Sequence, residues 1–185
     1  MQKQELFDCH QRIKPFIHRT AVVSSRLINA EVGADVFFKC ENFQRGGAYK
    51  MRGATNAILQ LSEEQKKKGV VTHSSGNFAQ AVSLGALSLG VTAHIVMPSS
   101  APVVKKVGVK EYQGIIYECE PTLKARERTA NRIAEETGAT LLHPSNDVDV
   151  IIGQGTAAME LLEEQPDLNA IFCPVGGGGL IAGSA

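Results

Sequence analysis

Three short stretches of this chain hold residue types that do chemistry together. In "QRGGAYKMRGA" (44–54), Lys50 follows the glycine pair Gly46–Gly47 and precedes Arg52–Gly53. A lysine becomes a nucleophile or Schiff-base former once it sheds its proton near neutral pH, and a positive helix terminus or a nearby cation encourages that. In "THSSGNFAQA" (72–81), Ser74, Ser75, Gly76 and Asn77 lie between an apolar run and a helical pattern that begins with Phe78. Free N–H groups at a helix start, joined by hydroxyls and an amide, suit a carboxylate or a ring oxygen. In "CPVGGGGLIAGSA" (173–185), the consecutive glycines Gly176, Gly177, Gly178 and Gly179 can bring bare N–H groups against a phosphate.

Each stretch also has a plainer reading. Lys50 could be a solvated lysine at a helix start, and the serine loop a simple N-cap, since Ser and Asn are favoured there. Capping uses one such residue, whereas four small polar positions stand together at 74–77. The tetraglycine could be a flexible linker, but it lies between the apolar runs "AIFCPV" and "LIAG". It is not a Walker loop, because no Gly-Lys-Ser/Thr follows, and it lacks GxGxxG spacing.

These stretches need elements to hold them. Apolar runs of strand length at 35–40, 69–74, 92–98, 114–119, 139–143 and 170–175 alternate with helical patterns at about 50–68, 77–89, 102–111, 122–137 and 148–164. Such alternation, with strands apolar on both faces, predicts an α/β fold in which helices cover a parallel sheet. Ligands in such sheets sit beyond the carboxyl ends of strands, where all three stretches fall.

Composition bounds the partners. The 185 residues carry 19 basic and 19 acidic side chains, so no long-range field favours nucleic acid or an anionic membrane, and the expected partner is a small molecule. The run "EEQKKKG" (63–69) reads as the end of an exposed helix, with cations in its last turn. No apolar stretch approaches membrane-spanning length and the N-terminus has no export pattern, so a cytoplasmic protein is expected. Cys9, Cys40, Cys119 and Cys173 lack metal-site spacing and read as buried thiols; His73 and His143 read as structural. The "GQGT" step (153–156) reads as a packing feature near a hinge between lobes rather than a phosphate site.

A lysine, a carboxylate-type loop and a phosphate loop together describe a site for pyridoxal phosphate. The segments "ENFQRGGAYKMRGA", "HSSGNFAQA", "HPSNDVDVIIGQGTAAMELLE" and "PVGGGGLIAG" resemble, in order and spacing, the serine/threonine dehydratase and serine racemase family of fold-type II pyridoxal-phosphate enzymes. By that resemblance Lys50 bonds the cofactor and removes the substrate α-proton, and Asn77 meets the ring oxygen. Ser74, Ser75, Gly76, Asn77 and Phe78 form the substrate loop, Ser75 faces the α-carbon opposite the lysine in racemases, and Gly176 to Gly179 bind the phosphate. The implied reaction is deamination of serine or threonine by β-elimination, with racemisation as a companion activity. The implied assembly is a homodimer or larger, and Mg2+ or Ca2+ would have ligands outside this chain.

Two departures bear on substrate. Ala48-Tyr49-Lys50 stands where the family often has Ser-Phe-Lys, and Phe78 stands where a histidine is usual. The Gly-Ala-aromatic-Lys version resembles hydroxyaspartate-degrading members, so threo-3-hydroxyaspartate ammonia-lyase is the alternative, with a non-catalytic phosphate-binding module as the non-enzyme reading. Ser145 falls where relatives vary. Family members are about twice this length, and the resemblance divides the chain into a small domain at 68–146 and part of a large one at 1–67 and 147–185. β-Replacement shares the fold type but fits "YKMRGA" and "HPSND" less well.

Overall fold

The computed structural model describes residues 2–185. The chain opens with α1 (Lys3–Ile13), whose first turn is closed by the Gln2 N–H donating to Glu5 Oε2 at 2.6 Å and whose inner face buries Cys9, His10 and Ile13. An antiparallel ribbon follows, β1 (Val22–Ser24) against β2 (Phe37–Lys39), with α2 (Arg26–Val32) between them ending on left-handed Gly33. After two short 3-10 turns, Gly46 and Gly47, at φ 69° and 72°, redirect the backbone into α3 (Lys50–Leu59). Positive φ is open to glycine at little cost, which explains the glycine pair ahead of the lysine.

One helix was expected over 50–68, but two form. Ser62 Oγ accepts from the Gln65 N–H and the Gln65 side chain accepts from the Ser62 N–H, a capping box that starts a new helix, α4 (Glu63–Lys68). Its lysines fill the last turn as predicted, and Gly69 closes it.

From there the chain alternates: β3 (Val70–His73), α5 (Asn77–Ser88), β4 (Ala93–Pro98), α6 (Val103–Glu111), β5 (Ile115–Cys119), α7 (Leu123–Thr137) and β6 (Thr140–Leu141). The four strands form one parallel sheet in the order β5-β4-β3-β6. Side chains alternate between its faces with period two. Val70, Ile95 and Met97 meet Phe78, Ala79, Val82 and Val109 on one face, while Val71 and Val96 meet Ala130, Ile133 and Ala139 on the other. Covered on both sides, these strands read as unbroken apolar runs, and β3 and β4 are buried throughout. The chain closes with α8 (Val148–Glu164), capped by Asp147 accepting from the Val150 N–H, and the short α9 (Gly179–Ser184).

Three expectations are corrected. Residues 35–40 do not join the parallel sheet: only 37–39 are extended, paired antiparallel with β1, a strand whose short run carries no strong sequence pattern. Residues 170–175 form no strand, because no neighbour among the described residues supplies ladder hydrogen bonds, and Phe172 is 95% exposed. All four cysteines are free, but only Cys9 is buried, its thiol pushed up to about 12 by that burial; the other three are partly exposed. No helix among the described residues is long and apolar enough to cross a membrane.

Candidate active site

The sheet order places the site. The chain steps outward from β3 to β4 to β5, then returns to lay β6 on the other side of β3. Where the direction reverses, the loops leaving neighbouring strands diverge and open a crevice at their carboxyl ends. The serine loop leaves β3 there, and "HPSND" (143–147) follows β6.

Lys50, the first residue of α3, reaches that crevice. Its Nζ donates to the Pro144 carbonyl at 2.9 Å and lies 5.7 Å from the centre of the Phe78 ring and 5.1 Å from that of Tyr49. Burial lowers its pKa from the usual lysine range, with no carboxylate set against the ammonium to oppose the shift. An amine poised towards its neutral form is what a nucleophile or a general base requires.

The serine loop is not a simple cap. Gly76 occupies the N-cap of α5 and no side chain caps that end; Ser74 Oγ instead accepts from the Gly76 N–H at 3.3 Å, within the loop. The first-turn N–H groups of a helix have no intrahelical partner, so this terminus stays available to an anion. Ser75 is half-buried, and Asn77 is exposed with its Oδ1 accepting from Lys105 Nζ of α6 at 2.6 Å. A cation on Oδ1 leaves the amide NH2 as the free, donating end. Phe78 is only 2% exposed: it packs in the core and offers Lys50 a ring face rather than an open contact surface.

The glycine loop packs on the turn that holds Lys50. A Cβ on Gly177 would collide with Ser145 Oγ, and one on Gly179 would come within 3.2 Å of Ser145 Cα. Gly178 is left-handed, at φ 86°, and is the N-cap of α9, while a Cβ on Gly176 would meet nothing. Pro144 thus touches Lys50 while its neighbour Ser145 touches the tetraglycine, and Phe78 brings in the third loop.

Behind α3 lies a buried ionic cluster. Arg52, fully buried, donates to both oxygens of Glu160 and both of Glu41; Glu160 also meets His10 at 2.9 Å and Lys39 at 2.8 Å. Glycines let the flanking helices touch backbone to backbone: Gly153 of α8 against Gly53 of α3, and Gly155 against Gly183 of α9. The packing role read for "GQGT" is therefore seen. A groove of about 1000 Å3, lined by Phe37, Phe38, Leu161 and Phe172 among others, adjoins the site at Tyr49 and Leu180 but includes none of the serine-loop residues.

The sequence pattern missed Pro144, Lys105 and Tyr49 as parts of the site. A carbonyl contact and a cation 28 residues away leave no local spacing signal, although Tyr49 stood beside the lysine. Among the described residues no three His, Cys, Asp or Glu side chains cluster to hold a metal ion.

A lysine with a buried amine, a helix start with free N–H groups and a glycine loop meet around the 144–145 turn, beside the switch point of a parallel sheet. The family described as pyridoxal-phosphate dependent enzyme matches residues 13–185, and the chain belongs to it. The chain is 49% identical over 181 residues to β-hydroxyaspartate dehydratase of Paracoccus denitrificans, covering 98% of this chain and 58% of that protein. It is 51% identical over 178 residues to serine racemase of Arabidopsis thaliana, covering 96% and 54%. Among solved structures, maize serine racemase superposes with a TM-score of 0.97 at 50% identity, covering 98% of this chain and 55% of that one. Serine racemase of Dictyostelium discoideum superposes with 0.93 at 44%, covering 98% and 59%, and a threonine deaminase with 0.90 at 40%, covering 99% and 59%. The fold is that of the fold-type II enzymes, and the chain spans about half the length of the relatives it matches.

Proposed function

We propose that the protein deaminates a hydroxy amino acid, serine or threonine, by pyridoxal-phosphate-dependent β-elimination, with racemisation of serine as a second outcome at the same site. The observation that carries this is the double contact of the 144–145 turn, Pro144 on Lys50 Nζ and Ser145 on Gly177 and Gly179, which joins a covalent anchor to a phosphate cradle.

The residues fit the cofactor. Lys50 has burial that favours its neutral amine, and the cradle is shaped by Gly177 and Gly179, where a side chain would press on Ser145, and by Gly178, where it would strain the backbone. In this reading Lys50 holds the cofactor covalently, the N–H groups of Gly176 to Gly179 take its phosphate, and the Asn77 amide, turned by Lys105, donates to its ring oxygen. The bound cofactor supplies an electron sink for the negative charge left when the substrate α-carbon loses its proton. Lys50 Nζ, released when substrate takes its place, accepts that proton; Ser74, Ser75 and the free N–H groups of α5 hold the substrate carboxylate. The Phe78 and Tyr49 rings keep bulk water from Nζ. Ser75 supplies or takes the proton on the opposite face in racemisation. The β-hydroxyl takes the proton that Lys50 Nζ holds and leaves as water; a second water then hydrolyses the resulting enamine to an oxo acid and ammonia.

A second substrate, 3-hydroxyaspartate, is favoured by Ala48, which is 7% exposed and puts a methyl where a serine hydroxyl would stand. We place residues 68–146 in a small domain, supported by the whole four-stranded sheet lying within them, and 1–67 with 147–185 in a large one. A homodimer or larger assembly completes the reading, in the cytoplasm, a compartment with which four free cysteines agree.

The test is spectroscopic and then chemical. The full-length protein should show a visible absorbance band from the lysine–cofactor link, lost in Lys50→Ala; a full-length protein that binds no cofactor sinks the proposal. Oxo acid released from L-serine, L-threonine or 3-hydroxyaspartate identifies the substrate. Ser75→Ala should lose racemisation and keep elimination from one enantiomer.

A further inference from the structure

We infer that His143 is a positioning residue for this site: its imidazole builds the turn that sets Lys50 against the glycine loop. The inference rests on the function proposed above for Lys50 and the tetraglycine. His143 directly follows the last core residue of the β6 segment, Leu142, whose carbonyl is tied to β3 by the Thr72 hydroxyl at 2.7 Å. The backbone is therefore anchored up to 142, and the direction of the next three residues is decided locally.

The imidazole makes that decision. Nδ1 accepts from the Ser145 N–H at 3.2 Å and from the Asn146 N–H at 2.9 Å. A nitrogen accepting two donors carries no proton, so the ring is neutral with its hydrogen on Nε2. A side chain that accepts from the N–H groups two and three residues ahead replaces the backbone carbonyl of an ordinary turn. Between donor and acceptor stands Pro144, which has no N–H and so gives the turn only its carbonyl, the group that receives Lys50 Nζ at 2.9 Å. Ser145, held by the first of these bonds, is the residue against Gly177 and Gly179.

The ring also reaches the third loop. It meets the His73 ring edge to face, centres 5.6 Å apart, and His73 is the last residue of β3, immediately before Ser74. One imidazole thus contacts the approach to the serine loop and directs the two residues that touch the lysine and the phosphate cradle. A histidine serving only as filler would present its ring to the core and would need no nitrogen in a defined place.

The experiment separates these roles by the position of a single acceptor atom. In asparagine Oδ1 occupies nearly the position of Nδ1, whereas the glutamine oxygen lies near that of Nε2. In the full-length protein, His143→Asn should keep hydrogen-exchange protection of the Ser145 and Asn146 amides and pyridoxal-phosphate affinity within about threefold of the original. His143→Gln should lose about tenfold in both, a loss comparable to one broken hydrogen bond. If Asn and Gln behave alike, both retained or both impaired, the positioning role is overturned.

Should the glutamine variant not fold, the unmodified protein gives the answer by NMR. Coupling across the hydrogen bond from the Asn146 amide to His143 Nδ1, read in 15N-labelled protein, should show that nitrogen as the acceptor. An amide that shows no coupling to Nδ1 overturns the inference. A protein in which the amide results hold but no cofactor binds refutes the proposed function and leaves the turn's construction intact.

Discussion

Arg52 and Glu160 meet fully buried in a paired hydrogen bond, Nη1 to Oε1 and Nη2 to Oε2, each 2.8 Å, which ties the helix that begins with Lys50 to α8. Removing one partner of a buried pair leaves an uncompensated charge, at a cost of about 3–5 kcal/mol. Arg52→Ala should lose stability of that order in urea unfolding, and Arg52→Lys should not restore it, because an ammonium cannot span two carboxylates as a guanidinium does. A loss below about 1 kcal/mol would contradict a role for the pair in holding α3.

The same carboxylate sets an acid limit. Burial works against ionisation of Glu160, but hydrogen bonds from His10, Arg52 and Lys39 outweigh it and hold the group well below the usual carboxylate range. With the folded pKa depressed, its contribution is full above the ordinary value of 4.5 and is lost as pH falls towards the folded value. As pH falls below 4.5, stability should decline less steeply in Glu160→Gln than in the original protein. Parallel curves would show that the carboxylate is not the titrating group.

Lys105 holds Asn77 at a partly exposed place, so its effect should be smaller. Lys105→Met frees the amide to rotate and should weaken pyridoxal-phosphate affinity about tenfold, near the low end for a charged hydrogen bond. Lys105→Arg should recover much of the loss. Equilibrium dialysis measures it, and unchanged affinity in the methionine variant would remove Lys105 from the site.

Burial alone lowers the Lys50 pKa, so its neutral fraction rises at lower pH than that of a solvent-facing lysine. In cofactor-free protein, the midpoint pH for acylation of Lys50, followed by peptide mass, should lie below that of a lysine in a short unstructured peptide, whose ordinary value is 10.5. Comparing midpoints rather than rates removes the effect of access. Coincident midpoints would show that burial does not shift Lys50.

Glycine substitutions should divide sharply. A Cβ on Gly153 would lie 2.5 Å from Gly53 Cα and 2.7 Å from the Arg52 carbonyl, backbone atoms that cannot turn aside. Gly153→Ala should destabilise by about 1–3 kcal/mol, as overpacked sites do. Gly176→Ala, where a Cβ meets nothing, should leave the thermal midpoint unchanged. Equal effects would mean that α3 and α8 separate more easily than their contact implies.

Much of this protein is legible before folding. Apolar runs of strand length announce β3 and β4, which are buried throughout because helices cover both faces, and the partly exposed edge strand β5. The lysine, serine-asparagine and tetraglycine stretches are local patterns, since each depends on residues adjacent in the chain. The reading of 170–175 failed because a strand exists only through its neighbours, and apolar content cannot report whether one is beside it. The break at Ser62 was written in its capping box, yet the helical residues on both sides masked it.

Local residue types alone therefore specify which groups are able to act: an amine, a set of free helix-start N–H groups, and a glycine cradle. Folding supplies their environment. Lys50 loses affinity for its proton because folding buries it, and Pro144, whose carbonyl its Nζ donates to, reaches it from 94 positions away. Desolvation and hydrogen bonding depend on distance in space, and the strand order β5-β4-β3-β6 brings the ends of β3 and β6 side by side to create that proximity.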